Sequence, residues 1–163
     1  KRLLVDGVPR LALAETVGWD PSFENALTVV DNALEHLVIV PVELGYHPER
    51  RVHWEAVMGR IWSIDLPTAH NQLDRRVCAC LHWTFLRHVL PDSPLVHSAI
   101  TAMEAYDLRA EADDFCDHLI PLLANKLAVV QFFFSWFGNI PKDRAAVEYL
   151  NCITGTTLSP IPL

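Results

Sequence analysis

Cysteine, glycine and basic residues are all scarce in this chain, and each scarcity closes off a class of protein. Four cysteines, Cys78, Cys80, Cys116 and Cys152, stand at irregular spacing. They are too few for a secreted disulfide scaffold, and Cys78 and Cys80 lie too close for an easy mutual bridge. A reducing, intracellular setting, cytoplasmic or nuclear, is therefore expected. The six glycines are isolated, so no glycine-rich phosphate loop is present. Thirteen Lys and Arg against twenty Asp and Glu leave a net charge of −7. With no basic helix or basic-aromatic ladder to concentrate those few cations, nucleic acid is excluded as an expected partner. No signal-peptide pattern opens the chain. The most apolar segment, reaching Phe137, is interrupted by Asn125, Lys126 and Gln131, so no transmembrane segment is expected. The serines lie in no Gly-x-Ser-x-Gly elbow, which removes the commonest hydrolase signature. The first residues are Lys1-Arg2 without an initiating Met, a start that reads as part of a longer protein.

What is abundant is apolar. Of 163 residues, 51% are hydrophobic, with five Trp and seven Phe. A chain of this length buries roughly two thirds of its unfolded surface without disulfides or structural metal. Asp20 followed by Pro21 is a cap-then-proline start for a helix over 22–40, with Phe23, Leu27, Val30, Leu34, Leu37 and Val38 at three- and four-residue spacing. Leu37-Val38-Ile39-Val40 alternatively reads as a short buried strand. Further helices are expected over 48–63, 68–89, 95–118, 122–137 and 142–153, separated by proline-containing breaks. Asp6-Gly7 between short apolar runs signals a β-hairpin at the N-terminus. The expected fold is all-α: an irregular bundle of five or six helices with a short N-terminal β-hairpin. A single domain would cover 1–153, followed by an extended tail over 154–163.

The most specific short string is Asp113-Asp114-Phe115-Cys116-Asp117. It resembles the aspartate-rich motif of class I terpene synthases and prenyltransferases. The resemblance implies an all-helical enzyme in which Asp113, Asp114 and Asp117 hold magnesium, whose hard charge bridges carboxylates to a diphosphate. It covers five residues, and the family's second magnesium motif has no counterpart here. Cys78 and His82 share a helix face and suggest a zinc-binding module, although Cys80 points away.

Two other features point to association. Glu104, Asp107, Glu111 and Asp114, with His118 one turn on, would share an arc of roughly 80° on one continuous helix. Such an acidic face suits a basic partner. Phe132-Phe133-Phe134-Ser135-Trp136-Phe137 places aromatics on every side of its helix, so either that helix is central and they are core, or some face a partner, which makes Phe133, Trp136 and Phe137 candidate partner-binding residues. The expectation is a non-enzymatic domain of a larger intracellular protein that associates with a protein partner or with itself, without a cofactor. Magnesium-dependent diphosphate chemistry and zinc binding are the alternatives.

Overall fold

A computed structural model describes residues 8–14, 18, 20–138, 142–150 and 157–162. The fold is an irregular helical bundle with a short antiparallel sheet, as the helical periodicity requires. Its residues group into two compact units, 1–32 with 125–163, and 33–124.

The longest helix, α1 (Pro21–Tyr46), runs 26 residues and contributes turns to both units. Its start follows the sequence: the Asp20 carboxylate accepts the Phe23 amide at 3.1 Å, satisfying a helix-end donor, and Pro21 opens the helix. Its end does not. The helix continues past Pro41 for more than a turn, neither stopping at 40 nor becoming a strand. Proline removes one hydrogen bond, but beyond it Glu43 accepts from the Trp54 indole at 2.8 Å and from Arg50 at 3.0 Å. These tertiary bonds hold the turns that local propensity disfavours.

In the unit spanning 33–124, a 3₁₀ turn (Pro48–Arg50) leads into α2 (Arg51–Arg60) and then a π-helical stretch (Ile61–Asp65). The Leu66 amide there reaches back to the Ile61 carbonyl at 2.9 Å. The next helix, α3 (Gln72–Val89), begins at Asn71 rather than at Thr68, because the Asn71 side chain accepts the Asp74 amide at 2.9 Å. After it come α4 (Leu95–Glu104) and α5 (Arg109–Leu119). The central helix α3 packs along α5 and touches α4. Leu37, Leu66, Leu86, Leu90, Met103, Phe115 and Leu119 are among the fully buried side chains of this unit.

The single helix expected over 95–118 is thus two. Asp107 adopts the left-handed conformation with φ 57°, the Asp107 amide bonds the Glu104 carbonyl at 3.2 Å, and the Leu108 amide bonds the Met103 carbonyl at 3.0 Å. These two bonds form a Schellman stop, with Leu108 buried behind it. An aspartate tolerates this conformation better than most non-glycine residues, so the stop occurs with no glycine to announce it.

The other unit holds the start of α1, α6 (Lys126–Trp136) and a three-stranded antiparallel sheet. β1 (Val8–Leu13) pairs with β2 (Ala145–Leu150), which pairs with β3 (Thr157–Pro162). β1 is the second arm of the expected hairpin; the first arm and the Asp6-Gly7 turn lie outside the described residues. Arg10 stands opposite Glu148 and forms an ion pair with it at 2.9 Å. The helix expected over 142–153 is corrected to a 3₁₀ turn (Lys142–Arg144) and strand β2. Ala145, Ala146 and Val147 are consecutively buried, as in a central strand covered on both faces and hydrogen-bonded along both edges. A strand partner on each side outweighs the helix propensity of two alanines.

Candidate association surface

The C-terminal half of α1 carries apolar residues on both sides. Leu34, Leu37 and Val40 are buried. Val38, Ile39, Val42 and Tyr46 are exposed, Val42 by 58% and Tyr46 by 81%. At about 100° per residue these four fall within an arc of about 100°. Glu43 and His47 lie beside them on the same side of the helix end. The sequence reading places Val38 on the buried stripe; it is exposed, because Leu37 and Val40 already fill the inward face. The signal that was available is the uninterrupted Leu37-Val38-Ile39-Val40 run, which exceeds what one stripe of a helix can hide.

An aromatic cluster supports this half of α1. The Trp54 ring packs edge-on against His36 at 4.9 Å and His53 at 5.3 Å, and meets Phe85 at 5.5 Å. The Trp54 hydrogen bond, followed by Arg50, holds the Glu43 carboxyl below its usual range. Burial pushes His36 down, against the opposing pull of Glu35 and Glu43. Burial also pushes His82 down, although its Nδ1 donates to the Cys78 carbonyl at 2.8 Å. Both imidazoles therefore take a proton less readily in the fold than at the ordinary 6.5 of the unfolded chain. Their contribution to stability is complete above that value and is lost as pH falls below it, where the unfolded chain binds more protons. Urea midpoints should fall between about pH 7.5 and about pH 5.5, and His82→Gln should flatten that slope; equal slopes would remove His82 as a source.

The residues expected to form sites are distributed differently. Phe133 and Phe137 are buried, each 1% exposed. Their rings pack at 5.0 Å, so neither is available to a partner in this conformation. Trp136 is half-buried and packs against Phe132 with the rings tilted and their centroids 5.4 Å apart. The acidic face is broken by the Schellman stop, which puts Glu104 on α4, Asp107 in the turn, and Glu111, Asp114 and His118 on α5. Glu111 is engaged by the Arg76 guanidinium through both oxygens, at 2.6 to 3.0 Å.

The three aspartates of the magnesium reading are likewise occupied. Asp113 accepts from the Trp83 indole at 2.7 Å and from Arg109. Arg87 bonds Asp117 at 2.9 Å and approaches Asp113 at 3.5 Å. Asp114 faces His118 at 3.2 Å. Guanidinium groups thus stand where that reading needs a metal ion. Cys78 Sγ lies 3.6 Å from His82 Nδ1, a nitrogen already bonded to the Cys78 carbonyl. Burial pushes the Cys78 thiol up to about 12, and raises Cys80 and Cys116 as well, whereas zinc binds thiolate. Among the described residues, no group of three or more His, Cys, Asp or Glu is placed to hold a metal ion.

Comparison of the chain with protein families, curated proteins and solved structures found no match. The α1 surface and its chemistry therefore carry the functional argument alone. No described helix is long and apolar enough to cross a membrane.

Proposed function

We propose that this chain is a protein–protein association domain of a larger intracellular protein, acting through the exposed face of α1. One observation carries the reading: Val38, Ile39, Val42 and Tyr46 form a contiguous apolar surface on a helix whose opposite side is already anchored. Exposed apolar residues scattered singly are ordinary, but a patch with a tyrosine at its end has the composition of an interface hot spot.

Photo-crosslinking tests the proposal. With a benzophenone amino acid at position 42, irradiated cells should yield one discrete adduct of higher mass. Position 92, in the turn between α3 and α4, should yield none. A smear identical at both positions, or no adduct at 42, would sink the proposal. The adduct mass separates a second copy of the chain from another protein.

A further inference from the structure

We draw no further inference here: the strongest candidate, the exposed apolar face of Val38, Ile39, Val42 and Tyr46 at the C-terminal end of α1, belongs to the surface already described, and nothing in the structure shows what covers it.

Discussion

Phe133→Ala should lower stability by about 3–5 kcal/mol, the usual cost of deleting a buried phenyl ring and leaving its cavity. Phe133 is 1% exposed on α6 and packs against Phe134 at 5.6 Å and Phe137 at 5.0 Å. Total stabilities of about 5–15 kcal/mol make this loss a large fraction of the fold. Trp136→Ala, at a half-buried position, should cost less than half as much. Urea denaturation followed by circular dichroism measures both. The two variants also separate core from interface on this helix. If Phe133→Ala left the urea midpoint unchanged and altered only assembly, the ring would be serving a partner and not the core.

Asp113→Ala should be the most damaging change among the acidic residues, at about 2–3 kcal/mol, because it removes charge-assisted hydrogen bonds beside a buried indole. The Trp83 side chain is 2% exposed, and its Nε1–H would lose its acceptor. Arg109, which also lies over the Trp83 ring at 4.5 Å, and Arg87 would keep their charges without the shared carboxylate. Asp113→Asn retains an acceptor for Trp83 and should cost roughly half as much. Asp114→Ala, which loses only a surface contact to His118, should stay within about 0.5 kcal/mol. The same proteins bear on the magnesium reading. Magnesium with inorganic diphosphate should leave the wild-type melting temperature unchanged. A rise in wild type that Asp113→Ala abolishes would restore the resemblance to the aspartate-rich motif as a functional one.

Several parts of the fold were legible because their causes are local. Asp20-Pro21 starts a helix through a carboxylate that can reach the Phe23 amide and a ring that needs no amide partner. Leu27, Leu34 and Leu37 are buried because their spacing keeps them on one face. The breaks near Pro67 and at Pro91–Pro94 follow from proline chemistry in the same way. The candidate sites were less legible. Asp113 and Asp117 look like magnesium ligands while Trp83 and Arg87 are unplaced, each lying 30 residues in sequence from the aspartate it bonds. Asp107 looks like one of a row of acids until its left-handed backbone ends the helix.

The sequence by itself determined the helical class, the helix starts near Pro21, Pro48 and Leu95, the acidic balance and the surplus of apolar residues, since composition and short-range periodicity carry these. Tertiary structure alone decided that α1 continues through Pro41, that 145–150 is a strand, that the aromatic surplus of α6 is largely core, and that the exposed surplus lies on α1. Such outcomes depend on partners outside the segment itself: Trp54 for Glu43, β1 for β2, Trp83 for Asp113. Burial and pairing energies of several kcal/mol outweigh local preferences of about 1 kcal/mol per residue or less. That margin lets remote contacts overrule what each segment would prefer alone.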